Sequence, residues 1–149
     1  MDREAQIKSV ALFFFFSLLD EKAAFQATTK TLGQSFRRQR RKDDDESDAP
    51  SRLVHLTQKN WEKWNNKKKA GQSLITYEAG WLLKPDIDLG PWKEFRKEAD
   101  PDEFLAVIWS HILKFSDQHI SEGLGVTIGT VRHRVGRGLR HLGSLKAAG

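Results

Sequence analysis

No cysteine occurs anywhere in the 149 residues. That excludes disulfide staples, thiolate metal ligands and a cysteine nucleophile, and it fits a reducing compartment. Long apolar runs are equally scarce. The strongest, Val10-Ala-Leu-Phe-Phe-Phe-Phe-Ser-Leu-Leu19, falls well short of the roughly 20 residues that a helix needs to cross a bilayer. A secretory signal would want a cationic start and a small-residue cleavage site. Here Asp2 and Glu4 precede the run, and Asp20-Glu21-Lys22 follows it at once. Neither a membrane partner nor export is expected, and the expected address is the cytoplasm. Acidic residues are missing altogether from Gly123 to Gly149, and no internal repeat is visible.

What is present points to a globular chain with an anionic partner. Hydrophobic residues make up 38% and charged residues 30%, which excludes a fibrous or wholly disordered protein. The length allows one compact domain or two small ones. Lys and Arg outnumber Asp and Glu by 25 to 20, a formal charge of +5, so an anionic partner is favoured, either nucleic acid or a membrane surface, between which net charge alone does not choose.

Apolar spacing predicts an all-α fold in three stretches. Residues 1–42 read as a helical hairpin. Its first helix, about Asp2 to Leu19, is apolar nearly all round and so is buried or docked on a partner. Asp20 is the candidate N-cap of the second helix, with Glu21 in its first turn and Phe25, Thr28, Leu32 and Phe36 at helical spacing. Residues 43–98 read as a linker and a tryptophan-rich middle. The block Arg37-Arg-Gln-Arg-Arg-Lys42 runs into Asp43-Asp-Asp-Glu-Ser-Asp48 and Ala49-Pro50, and opposed charge blocks without apolar residues form no core. The basic half either extends the second helix to touch phosphates or is merely its solvated end. Thr57 is a candidate cap for a helix bearing Trp61 and Trp64, Leu74 to Leu83 suggest another stopped by Pro85, and Gly90-Pro91 signals a turn before Trp92 and Phe95. These tryptophans suit either base stacking or a core, and their helical spacing favours the core.

Residues 99–149 are the most legible. Asp100-Pro101-Asp102-Glu103 is a helix start, with Phe104, Leu105, Ile108, Ile112 and Phe115 as its buried face. Ser116 caps a short helix carrying Ile120 and Leu124, and Thr127 caps a last helix from Ile128 to about Leu142. This is the grammar of a helix-turn-helix. Ser121 stands where two close helices need a small residue, Gly125 where the turn needs positive φ, and Ile120, Leu124, Val126 and Val131 where the pair must be held together. At about 100° per residue the last helix turns Ile128, Val131, Val135, Leu139 and Leu142 inward. Thr130, His133, Arg137 and Arg140 then centre the outer face, with Arg132 and Arg134 at its edges. A cationic helix without acids suits DNA, whose phosphates and guanine edges arginine can grip. The expectation depends on those arginines projecting together. Were the stretch after Gly125 extended, or its guanidinium groups packed against the protein's own carboxylates, the transcription reading would collapse.

Nothing in the sequence points to an enzyme. Histidines 55, 111, 119, 133 and 141 show no metal-ligand spacing supported by acids, Asp86 and Asp88 read as loop residues, and neither metal nor cofactor is expected. Glycines 123, 125 and 129 follow no strand and so make no phosphate loop.

The stretch from Pro101 to Leu142 resembles the fourth conserved region of bacterial sigma factors, especially the small extracytoplasmic-function group. Gly129, Thr130, Val131, Arg132, Arg134, Val135 and Arg137 match that family's core pattern position by position, whereas Gly136 and Gly138 depart from it. The resemblance implies that Arg132, His133 and Arg137 face the upstream promoter element, with Thr127 and Thr130 near phosphates. A fainter outline of the family's second region covers Ala24 to Arg37 and keeps Thr31, Leu32, Phe36 and Arg37. There Gln26, Thr29 and Lys30 replace the usual acid, amide and acid. If this region docks on core RNA polymerase, Gln26, Thr29, Lys30 and Phe36 are the implied contacts.

Three functions follow as expectations. The first is a sigma-like regulator on promoter DNA, in contact with polymerase. The second is a LuxR-type DNA-binding regulator, suggested by the Thr-Val-basic pattern and Leu142-Gly143. The third is an adaptor or anti-sigma-type module that engages a protein partner through the Phe-rich first helix or grips an acidic partner with its basic helix.

Overall fold

A computed structural model describes residues 1–42, 48–67 and 89–148 of the chain. Among these the architecture is all-α: α1 (Arg3–Leu18), α2 (Glu21–Lys42), α3 (Ala49–Lys67), α4 (Gly90–Glu98), α5 (Pro101–Val107) running into a π-helical turn (Ile108–Ile112), α6 (Asp117–Leu124) and α7 (Ile128–Ala148). The acid block at 43–47, the helix expected from Leu74 to Leu83, and Pro85, Asp86 and Asp88 lie outside the described residues. No helix among the described residues is long and apolar enough to cross a membrane.

The phenylalanine run makes α1 the centre of the molecule. Phe13, Phe14 and Phe15 are buried, as are Val10 and Leu18, and the helix packs on α2, α3 and the π-helical turn. The face considered for docking a partner is therefore covered by the chain itself. Phe13 stacks on Trp109 with centroids 5.7 Å apart, and Phe16 meets Trp92 edge-on at 5.5 Å. Helix α4 also closes the end of α1. A helix C-terminus leaves carbonyls without intrahelical donors. Here Trp92 Nε1 donates to the Phe16 carbonyl (2.8 Å) and Arg96 Nε to that of Ser17 (2.8 Å). This semi-buried position lowers the Arg96 pKa from its ordinary value through desolvation.

Helix α2 begins as expected, with Asp20 Oδ1 accepting from the Ala23 N–H at 3.0 Å. Its buried face differs from the expected one. Phe25 is 74% exposed, while Ala23, Ala24, Ala27, Thr31 and Ser35 are buried. Small side chains at i, i+4 spacing let α1 and α3 approach closely, and the longer ones turn out to the rim. The α2–α3 contact is correspondingly polar. Arg52 Nε donates to Ser35 Oγ (2.9 Å), and Asn60 Nδ2 donates to Thr31 Oγ1 (2.8 Å) and Gln34 Oε1 (2.9 Å).

Two expected boundaries move. Ala49-Pro50 opens α3 rather than ending a linker, because proline costs nothing in a first helical turn. Gly90-Pro91 opens α4 for the same reason. Thr57 is not a cap. It lies buried within α3, donates to the Leu53 carbonyl at 2.6 Å and accepts from Trp109 Nε1 at 3.1 Å. The predicted core role of Trp61 and Trp92 holds: both are buried, and both lie against Phe104.

The C-terminal helices pack onto this core. Asp100 caps α5 as expected, accepting from the Asp102 N–H at 3.0 Å. The π-helical turn then inserts an extra residue into the repeat, so Trp109 is buried and the expected Ile112 only partly so. Helix α6 crosses α3 at Gly123, where a Cβ would stand 2.6 Å from both the Ser51 carbonyl oxygen and Val54 Cβ. Residues from all three stretches of the sequence (Phe13, Trp61 and Val131 among them) share one hydrophobic cluster.

Candidate nucleic-acid interface

The helix-turn-helix elements stand where their residues require. Ser116 Oγ accepts from the His119 N–H (3.1 Å) to begin α6. Gly125 ends it in the left-handed region at φ 71°, ψ 32°, a conformation glycine adopts without Cβ strain. The Gly125 and Val126 N–H groups both return to the Ser121 carbonyl (2.9 and 3.2 Å), and the Ser121 hydroxyl donates to the Val126 carbonyl at 2.6 Å. The serine is therefore a fastener for the turn as well as a small residue. Thr127 Oγ1 accepts from the Thr130 N–H at 3.1 Å, and the two hydroxyls lie 2.9 Å apart. This is the N-cap expected for α7.

The inner face of α7 follows prediction with one exception. Val131, Val135 and Leu142 are buried and Leu139 is partly so, but Ile128 is 37% exposed at the solvent-facing start of the helix. Gly138, which departs from the family pattern, has a packing reason. A Cβ there would come within 2.6 Å of Val107 Cγ2 and 3.0 Å of the Glu103 carbonyl oxygen, so the residue permits the α5–α7 crossing. Gly136 has no such constraint; its nearest neighbour would be Arg140 Nη1 at 3.5 Å.

Thr127, Gly129, Arg132, His133, Arg137 and Arg140 are exposed, and Thr130, Arg134 and Gly136 are half-buried. Positions 129, 132, 133, 136, 137 and 140 share one side of a 3.6-residue repeat, and this side is left uncovered by α5 and α6. The expectation that its cations lack acids does not hold. Arg132 Nε donates to Asp117 Oδ2 at 3.0 Å, Arg137 Nε to Glu103 Oε1 at 3.2 Å, and Arg134 Nη2 lies 3.7 Å from Asp102 Oδ2. These acids come from the first turns of α5 and α6, 15 to 34 residues away in sequence. In the sequence, Asp102 and Glu103 mark only a helix start. Among the described residues, His133 and Arg140 enter no ion pair or hydrogen bond.

The pairs reduce the positive field of α7 without hiding it. The Arg132 and Arg137 side chains remain 70% and 58% exposed. Exposed pairs contribute only about 0.2–1 kcal/mol each, so both guanidinium groups stay available to a stronger anion. Arg134, at 24% exposure, is more committed to the protein.

The polymerase-contact residues implied by the resemblance lie on a different surface. Gln26, Thr29 and Lys30 are exposed on α2 beside Phe25, and Thr29 Oγ1 donates to the Phe25 carbonyl at 3.0 Å. Phe36 is half-buried beneath the Arg3 guanidinium, 4.6 Å from its centroid. A cleft of about 310 Å³ between α2, α3 and α6 is lined by Arg38, Arg52 and His55 opposite Asp48 and Glu122, so its charge favours neither sign. Among the described residues no group of three His, Asp or Glu side chains is placed to hold a metal ion. Compared with protein-family models, curated proteins and solved structures, the chain matches none.

Proposed function

We propose that α6, the Gly125 turn and α7 form a helix-turn-helix that binds double-stranded DNA, and that the protein is a sigma-like, non-enzymatic regulator of transcription initiation in the cytoplasm. The observation that carries this reading is the fastened turn. Gly125 in the left-handed region and the Ser121–Val126 hydrogen bond fix two helices at a crossing that leaves one side of the second open. An α-helix fits the major groove.

Roles divide along α7. Arg132 and His133 lie within two turns of the N-terminus, where groove-reading helices contact base edges. Arg140 lies about 18 Å along the axis from Ile128 at 1.5 Å per residue, a position suited to a phosphate. Thr127 and Thr130 border the helix start, where backbone N–H groups favour anions. Arg137, paired with Glu103, is a weaker candidate for base reading than its place in the family pattern implies, and Arg134 is a structural contact more than a DNA contact. The α2 residues Gln26, Thr29 and Lys30 are the candidate surface for RNA polymerase.

Binding of a mixed-sequence duplex, measured by fluorescence anisotropy across a salt series, tests this. The account expects affinity to fall steeply with salt, and Arg140→Ala to lower the slope by about 1 unit through the loss of one phosphate contact. Salt-independent binding, or an unchanged slope in the variant, contradicts it. A second reading, an adaptor that grips an acidic protein, is favoured by the carboxylates that Arg132, Arg134 and Arg137 already take as partners. Co-purification with RNA polymerase from a lysate, kept or strengthened by Lys30→Glu, which restores the acid of the family pattern, supports the sigma-like reading over both the adaptor and the LuxR-type alternatives.

A further inference from the structure

Two carboxylates face the proposed DNA surface from the first turns of helices packed on the core. Glu103 stands in the first turn of α5 with its side chain 18% exposed, and Asp117 in the first turn of α6 at 35%. Both stand in a helix first turn, where the dipole favours an acidic residue. The Glu103 backbone lies where α5 and α7 approach closely, its carbonyl oxygen 3.0 Å from where a Cβ on Gly138 would stand. The partners are the reverse. Arg132 and Arg137 are long, mostly exposed side chains on the open face, free to leave by rotation alone.

We infer that Glu103 and Asp117 restrain the DNA surface of α7, each occupying a guanidinium group that a DNA phosphate must win away. The inference rests on the DNA-binding reading and adds to it a built-in limit on affinity. The two acids stand in the place of phosphates. Without DNA they satisfy the arginines. Weak or badly registered contacts with a duplex do not displace them, whereas a phosphate in register does. The restraint therefore lowers affinity for duplexes in general and increases dependence on correct geometry.

Charge-matched double variants of the full chain test this against the same mixed-sequence duplex. Glu103→Gln with Asp117→Asn keeps side-chain shape and removes both anions. Glu4→Gln with Glu62→Gln makes the same change in net charge on α1 and α3, helices other than the three that pack most closely on α7. The expected result is binding roughly 2- to 30-fold tighter for the first variant, the span for releasing two exposed pairs. Its salt slope should also be steeper by up to about 2 units. The control should change little, because neither acid pairs with an arginine of α7. Equal affinities for the two variants overturn the restraint and leave the DNA reading standing. Weaker binding by the Glu103/Asp117 variant at unchanged melting temperature also overturns it, and would make the acids positioning partners of the arginines. If parent and variants alike fail to bind duplex, the restraint and the DNA reading fall together.

Discussion

Helices α2 and α7 are both long and basic, and each carries a periodic stripe that looks like a buried face. They use those stripes in opposite ways. On α7 the valines and leucines go inside and the cations outside, so the apolar stripe marks the core. On α2 the phenylalanine that heads the stripe is largely exposed, and the buried positions are alanines, a threonine and a serine. Which kind of stripe is buried depends on the separation of the neighbours. Helix α7 lies against α5, α6 and α4 at distances that branched side chains fill, except at Gly138. Helix α2 is pulled close to α1 and α3, where only small residues fit, and hydrogen bonds from Arg52 and Asn60 complete the contact.

The largest effect that would sharpen this contrast is at Ala27, fully buried on the small-residue face of α2. Ala27→Leu should destabilise by about 2–3 kcal/mol through overpacking, which for a chain of this size lowers the melting temperature by about 2–4 °C per kcal/mol. A variant that melts with the parent would show that α2 has room to spare. Next comes the glycine pair of α7. Gly138→Ala should lose about 1–2 kcal/mol, because the crowding at Val107 and Glu103 exceeds the gain in helix propensity. Gly136→Ala, where the new Cβ meets only the end of the Arg140 side chain at an ordinary 3.5 Å, should gain about 0.5–1 kcal/mol. Chemical denaturation compares the two directly, and equal shifts of the same sign would remove the packing explanation of Gly138. The smallest effect is expected at Phe25. Phe25→Ala should stay within about 0.5 kcal/mol of the parent, and a larger loss would mean that the aromatic stripe of α2 contributes to the fold after all.

The same contrast explains how much could be read before the structure. Local signals were reliable. The caps at Asp20, Asp100, Ser116 and Thr127, the left-handed Gly125, and the inward Val131, Val135 and Leu142 all depend on residues a few positions apart. What failed depended on distant neighbours. Nothing near Arg132 or Arg137 in sequence announces Asp117 or Glu103. Thr57 looks like a cap until Trp109 arrives to use its hydroxyl, and Ala49-Pro50 reads as a linker until α3 is seen to start there. The π-helical turn at Ile108–Ile112 shifts the phase of an otherwise regular pattern and puts Trp109 where Ile112 was expected. Gly138 did leave a trace, since a glycine inside a helix often marks close approach.

Amide chemical shifts of the labelled protein, followed by NMR as duplex DNA is added, address the proposed interface most directly. The well-separated glycine signals of positions 129 and 136 would report on the open side of α7, and that of Gly33 on α2. The account predicts that Gly129, Arg132, His133, Gly136 and Arg140 move together with the duplex while Gly33 stays still. Shifts confined to α2, or no shifts at duplex concentrations well above those of typical non-specific binding, would contradict it.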